Sequence, residues 1–254
     1  MEIKRKVIDK KKVDSYDEDN LLKFCFSNIG RESMTKETYD IIEEYMMKMM
    51  PAPAHDSLHM YRVLNYAMKI AESYNYVDRD VLIASCLLHD IGRQAECENP
   101  NLSHAVEGSN LAYRFMKKLG WEEEKCQHIK ECIKTHSYRI EDRSISMEAK
   151  ILFDADKLDV TGAVGIARTL IYKGEIGEPI YTTKNGKIQD GSEPDSPDSF
   201  LKECQKKLLR IYDRFYTEEA SRIALERKKI TETFYGELLK ELNSASLKGY
   251  ESEI

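Results

Sequence analysis

Along most of this chain apolar residues recur at the three-and-four spacing of an amphipathic helix rather than at the alternation of a strand. Ile41, Ile42, Tyr45, Met46 and Met49 form one stripe, which "PAP" at 51–53 ends, because proline lacks the amide hydrogen and clashes with the preceding turn. Leu64, Ala67, Met68, Ala71 and Tyr74 form the next, with Asp56 placed to cap its start. Residues 81–90, "VLIASCLLHD", are apolar nearly all round until the last pair. That helix is expected at the centre of the fold, with Gly92 as its stop. Ser103 is placed to cap a helix through Leu111, Ala112, Phe115 and Leu119 to Gly120, and Ile129, Cys132, Ile133 and His136 share one side of another. Residues 148–159 and 161–172 read as two more.

From Gly174 to Asp198 the pattern changes, with four glycines and three prolines. In "PIYTTKNGKI" an Asn-Gly pair sits between short β-prone runs, so a small hairpin or lid-like loop is expected near 175–198, with an ordinary surface insertion as the alternative. Beyond it Phe200, Cys204, Leu208, Ile211 and Phe215 predict one helix, and Thr217 can cap a last long one through Ile223, Ile230 and Leu238. No internal repeat or low-complexity tract is present. The pattern predicts an all-α, single-domain helical bundle over 34–243, an N-terminal extension over 1–33 and a frayed tail over 244–254.

Composition narrows the setting. Of 254 residues, 41% are hydrophobic and 33% charged, as in a soluble, helix-rich globule. No apolar run approaches the roughly 20 residues that span a bilayer, and the start, "MEIKRKVIDKKKVDSYDEDN", lacks the apolar core of a secretory signal. The six cysteines include no CxxC pair and read as reduced thiols. A cytoplasmic protein with no membrane partner is expected. The net charge of −6 argues against general nucleic-acid binding, which depends on clustered Lys and Arg, and leaves room for a local basic pocket.

The chemistry begins where the central apolar run ends in His89 and Asp90. An ionised aspartate at the end of a core helix is costly unless it is paired, hydrogen-bonded or metal-bound. Imidazole with carboxylate suits Zn²⁺, Mn²⁺, Fe or Co. Among the six histidines, His59 opens "HMYRVLNYAMKI", His136 ends an apolar stripe, and His104 lies in the first turn of "SHAVEGSNLAYRFM", where Gly108 leaves room for a close neighbour. "FDADKLDVTGAVGIAR" supplies Asp154, Asp156 and Asp159. Taken singly, each histidine reads better as a hydrogen-bonded core or surface residue, and His128 is left as that. "HDSLH" has the spacing of a zinc-peptidase helix. Its acid is Asp rather than Glu, however, and a zinc-dependent peptidase would leave "LLHDIGR" and "DADKLD" unexplained. His55 is expected at the pocket rim.

The order H…HD…H…H…D, over roughly residues 50–240, resembles the HD superfamily of metal-dependent phosphohydrolases. The resemblance is carried by "HDSLHMYRV", "LLHDIGR", "SHAVEGS", "IKTHSY", "DADKLDVTGAVGIAR" and "YTEEASRIALERKKI". It is most similar to compact bacterial HD hydrolases, some of which cleave nucleoside triphosphates. The resemblance implies a bundle of the HD type in which His59, His89, Asp90 and Asp156 are metal ligands. "H-x-x-R-V" selects His59 over His55, and "A-D-K-L" selects Asp156 over Asp154. It further implies that His104 and His136 hold a second metal or contact phosphate or water. The implied cofactor is a divalent ion (Mn, Mg, Co, Fe, Zn or Ni), one or two per chain. Such an ion lowers the pKa of water from about 15.7 to about 7, so hydrolysis by activated water is expected, with Asp90 and Lys157 in catalysis. Arg62, Arg93, Lys157 and Arg168 are expected on the substrate's phosphates, and Asp159 behind a ligand histidine.

No Walker-type glycine loop appears, "GAVGIAR" lacks the strand context of a dinucleotide fold, and no Ser/His/Asp or Cys/His nucleophile set stands out. The expected partner is a small phosphate substrate, a nucleotide above all. Nucleoside triphosphate pyrophosphohydrolysis is one form of that activity, and a non-catalytic nucleotide-sensing module is the alternative. Oligomerisation is left open.

Overall fold

The apolar stripes become helices that enclose the "VLIASCLL" segment. The structure, a computed structural model, describes residues 34–50, 57–137 and 146–245. The extension 1–33, Asp56, His55 and the tail from 246 onward therefore lie outside the described residues. Helix α1 (Lys36–Met49) is capped by Thr35, whose hydroxyl accepts from the Thr38 amide at 3.1 Å. Helix α2 spans Ser57–Ala71. Helix α3 (Arg79–Leu88) starts at Asp78, whose carboxylate accepts from the Asp80 and Val81 amides, satisfying donors that have no partner within the helix. Val81, Leu82, Ala84, Cys86, Leu87 and Leu88 are fully buried, because α3 is wrapped by α1, α2, α5 (His104–Lys118), α6 (Glu123–Thr135) and α7 (Met147–Leu158). The described residues are helical apart from loops and one hairpin, an all-α fold. No helix among them is long and apolar enough to cross a membrane.

Gly92 serves a different purpose from the one its sequence position suggests. Its φ is −85°, not left-handed, and it starts the short helix α4 (Arg93–Glu98). A Cβ there would lie 2.2 Å from the His104 carbonyl oxygen and 2.5 Å from the Gly108 amide nitrogen. Glycine is required because the backbones of the 89–93 turn and of α5 pass in contact. Gly120, by contrast, does sit at φ +83°, just beyond the end of α5.

After α8 (Gly162–Glu175), strands β1 (Thr182–Lys184) and β2 (Lys187–Gln189) pair antiparallel, Thr182 opposite Gln189. Asn185 and Gly186 both have positive φ, at 53° and 69°, as a two-residue hairpin turn of this hand demands. The single helix expected over 200–215 is broken. Helix α9 (Phe200–Glu203) passes into a wide π turn in which the Leu209 amide bonds the Cys204 carbonyl at 2.9 Å, and a short 3-10 turn follows at Ile211–Asp213. The break lets Cys204 and Leu208 pack with Ile166 and Phe200 in a small cluster, while Ile211 and Tyr212 join the main core. One regular helix would keep all of them on a single face.

Helix α10 (Glu218–Ser244) is capped by Thr217 and anchored by Asp154, whose buried carboxylate accepts from the Tyr216 amide, the Thr217 amide and the Thr217 hydroxyl. Ile230, expected on its inner stripe, is 48% exposed. The inward position falls to Thr231, which meets the Tyr212 hydroxyl at 2.6 Å.

Candidate metal centre

Five helices each bring one end to the same place. His59 stands in the first turns of α2, and His89 and Asp90 follow the last residue of α3. His104 is the first residue of α5, His136 directly follows α6, and Asp156 and Asp159 close α7. All seven side chains are buried. His59 Nε2 lies 3.3 Å from Asp156 Oδ1 and 3.9 Å from Asp90 Oδ2. His89 Nε2 lies 3.7 Å from Asp90 Oδ2 and 4.0 Å from Asp156 Oδ1. On the other side of Asp90, Oδ1 faces His136 Nε2 at 3.6 Å and His104 Nε2 at 3.7 Å. Two overlapping triads, His59/His89/Asp156 and His89/Asp90/His136, each bring one ligand atom per residue to within 4.8 Å of the others, so either can hold a metal ion.

The opposite ring nitrogen of each histidine is tied down, which aims the Nε2 atoms inward. His89 and His136 donate through Nδ1 to the carbonyls of Cys86 at 2.9 Å and Ile133 at 2.5 Å. His59 donates to Asp159 at 2.7 Å and His104 to Glu96 at 2.9 Å. A proton held at Nδ1 leaves the Nε2 lone pair for a cation. His89 Nε2 and His136 Nε2 are buried with no hydrogen-bond partner, while Asp90 Oδ1 has the Arg93 guanidinium beside it at 3.0 Å. Orphaned polar atoms are rare in a folded interior, and these two imidazole nitrogens both face the Asp90 carboxylate. The donor set fits a divalent cation.

The local electrostatics favour neutral imidazoles at His89 and His104, whereas at His59 burial is outweighed by the hydrogen bonds with Asp156 and Asp159, which raise the pKa. Burial, reinforced by the neighbouring His136, outweighs the two nearby carboxylates and lowers His89 to about 4. Burial and the Arg93 guanidinium lower His104 to about 4. Both imidazoles are neutral near pH 7, the form that ligates metal. For Asp90, burial works upward, but Arg93 and the surrounding imidazoles win and hold it well below the usual carboxylate range. For Asp156, the Lys157 ammonium and His59 overcome burial in the same way.

The basic residues expected on substrate are engaged in different ways. Arg62 grips Asp159 through Nε at 2.6 Å and Nη2 at 3.0 Å, and Arg168 reaches the same carboxylate at 2.6 Å. Both thus brace the carboxylate behind His59. Arg93 bridges Asp90 at 3.0 Å and Glu96 at 3.4 Å. Lys157 Nζ lies 2.5 Å from Asp156 Oδ2 and over the Phe153 ring. His128 is outside the cluster, 3.2 Å from Glu148.

Sequence reasoning missed Glu96 and Lys207. Glu96 carries a local signal, three residues after Arg93, but its His104 contact depends on the turn between α4 and α5. Lys207 lies in the π turn and is exposed, yet crowding by the surrounding protein and the Lys157 ammonium lower its pKa, with Asp156 and Arg93 also within electrostatic reach. No periodicity argument would have put it there.

A family model described as the HD domain matches residues 57–161. The chain is 28% identical over 192 residues to the uncharacterized protein YpgQ of Bacillus subtilis, spanning 74% of this chain and 84% of that one. It is 29% identical over 192 residues to the 3′-5′ exoribonuclease YhaM of Bacillus subtilis, spanning 66% of this chain and 61% of YhaM. Among solved structures, Bacillus subtilis YpgQ in complex with ADP matches with a TM-score of 0.62 at 26% identity, over 80% of this chain and 97% of that one. An HD-superfamily hydrolase from Bacillus thuringiensis matches with a TM-score of 0.61 at 28% identity, over 82% and 98%.

Proposed function

We propose that this chain is a metal-dependent phosphohydrolase acting on a nucleotide or a related small phosphate ester, a reading supported by the HD-domain match over residues 57–161 and by the fold shared with an HD-superfamily hydrolase. One observation carries the reading: the buried Nε2 atoms of His89 and His136, which have no hydrogen-bond partner, converge on the Asp90 carboxylate beside the His59/His89/Asp156 triad. On this reading His59, His89, Asp90 and Asp156 hold the first ion, and His104 and His136 complete a second position around Asp90. The ion, when bound, supplies Lewis acidity and a water acidified toward neutral pH.

The protein's own groups do the rest. Asp159 fixes the His59 ring, and Arg62 and Arg168 brace Asp159. Arg93 keeps Asp90 ionised, and Lys157 does the same for Asp156. Arg93 and Lys157 pair with Asp90 and Asp156, and Lys207 lies within electrostatic reach of both cations, which supplies positive charge suited to a phosphate chain despite the net charge of −6. That combination favours a small, multiply charged nucleotide over a long polymer, and ADP bound to YpgQ supports nucleotide recognition. The relation to YhaM favours a second reading, removal of nucleotides from RNA 3′ ends, although the chain spans only 61% of that relative.

A release screen separates these readings. Phosphate and pyrophosphate are measured over nucleoside mono-, di- and triphosphates with added Mn²⁺, Mg²⁺, Co²⁺ or Zn²⁺, beside a 3′-labelled RNA oligonucleotide. Metal-dependent release from free nucleotides, abolished by chelator, is the expected result. Shortening of RNA alone supports the second reading. Nucleotide binding without turnover of any substrate supports a non-catalytic sensor.

A further inference from the structure

We propose that Glu96 is a positioning residue for His104, setting that imidazole's tautomer and basicity so that its Nε2 serves as a ligand beside Asp90; this rests on the reading of the cavity as a metal centre. Glu96 Oε2 lies 2.9 Å from His104 Nδ1. A carboxylate can only accept there, so the proton sits on Nδ1 and the lone pair on Nε2, which faces Asp90 Oδ1 at 3.7 Å.

The four histidines fall into two classes by what stands behind them. His89 and His136 rest on backbone carbonyls, fixed by the helices that carry them. His59 and His104 rest on carboxylates. A carboxylate behind an imidazole makes it a better donor than a carbonyl does. His104 needs that help most, since it belongs to neither close triad and Arg93 stands beside it as a competing cation. The contact also has a built cause. Gly92 and Gly108 bring the turn before α4 against α5, with the Gly108 Cβ position only 3.1 Å from the Gly92 nitrogen. Position 96, one turn into α4, is thereby held beside the first residue of α5. Glu96 also meets Arg93 at 3.4 Å, so a purely structural tie to Arg93 is the competing explanation.

A double-mutant cycle on the full chain decides between them, read by calorimetric titration with Mn²⁺ rather than by activity. The wild type is compared with Glu96→Ala, Glu96→Gln, His104→Ala and the Glu96→Ala/His104→Ala pair, and thermal melts check that each is folded. Loss of an outer-shell partner typically weakens metal binding about 10- to 100-fold. That loss is expected for Glu96→Ala at the His104-dependent ion, with a smaller loss for the isosteric Glu96→Gln. Once His104 is gone, removing Glu96 should change nothing further, because residues acting through one another are not additive. An additive loss in the pair, or wild-type affinity in Glu96→Ala, overturns the proposal. If His104→Ala itself binds Mn²⁺ as the wild type does, the ligand reading of His104 fails instead, and the proposal with it.

Discussion

His59 donates through Nδ1 to the buried carboxylate of Asp159, 2.7 Å away and 100 residues later in the chain. Asp159 also receives Arg62 and Arg168, so one side chain joins α2, the end of α7 and α8 behind a single imidazole. Replacing Asp159 by Asn keeps the shape but removes the charge that the arginines and His59 share. Metal affinity should fall by about 10- to 100-fold, measured by Mn²⁺ titration. Asp159→Ala should in addition lower the melting temperature, because it leaves partly buried guanidinium groups without their anion. Unchanged Mn²⁺ affinity in Asp159→Asn would show that His59 is not held through this bond.

Asp90→Ala should abolish metal-dependent hydrolysis while leaving the fold intact. The helix before Asp90 keeps its apolar contacts, since Leu87 and Leu88 are buried independently of it. What is lost is the carboxylate that faces His59 and His89 with one oxygen and His104 and His136 with the other. Circular dichroism and a nucleotide release assay at matched metal supplementation check this. A folded variant with wild-type turnover would move the hydrolytic site elsewhere.

Gly92→Ala should be destabilising well beyond an ordinary glycine change. Its methyl group would meet backbone at 2.2 Å and 2.5 Å, which no side-chain rotation relieves. Overpacking of this kind costs about 1–3 kcal/mol or more. Gly174, in α8, has open space around its Cβ position. Gly174→Ala should be neutral or stabilising by up to about 1 kcal/mol. Thermal denaturation of the two variants side by side tests the contrast, and equal melting temperatures would contradict it.

His128 gives a pH dependence of known sign. The neighbouring Cys132 and the Glu148 carboxylate, 3.2 Å away, outweigh burial and raise its pKa from 6.5 to about 10. The folded state therefore holds the proton more tightly than the unfolded chain, and the interaction is stabilising in full below about pH 6.5. It fades as pH rises towards about 10. The stability difference between wild type and His128→Ala should shrink across that window, followed by urea denaturation at several pH values. A difference that grows with pH would reverse the assignment. Metal uptake should not change, because His128 lies outside the cluster.

Much of this protein was determined by local sequence alone. The buried character of α3, the helical stripes and the Asn-Gly hairpin follow from spacing, because period and turn chemistry act within a few residues. So does the candidacy of His89 and Asp90, since a charged pair at the end of an apolar helix needs compensation wherever the chain goes. Other outcomes depended on residues that meet only after folding. That Arg62 and Arg168 meet on the Asp159 carboxylate was not legible in their spacing. Gly92 looked like a helix stop until α5 passed against it. The 200–215 stripe looked like one helix until two separate clusters claimed its apolar residues. Which nitrogen of each histidine faces the cavity was likewise decided by a carbonyl or carboxylate behind the ring, for His59 one lying 100 residues away. A spacing pattern specifies which face of its own helix a side chain occupies; only packing decides which distant atom stands opposite, and that atom sets its charge, its tautomer and its role.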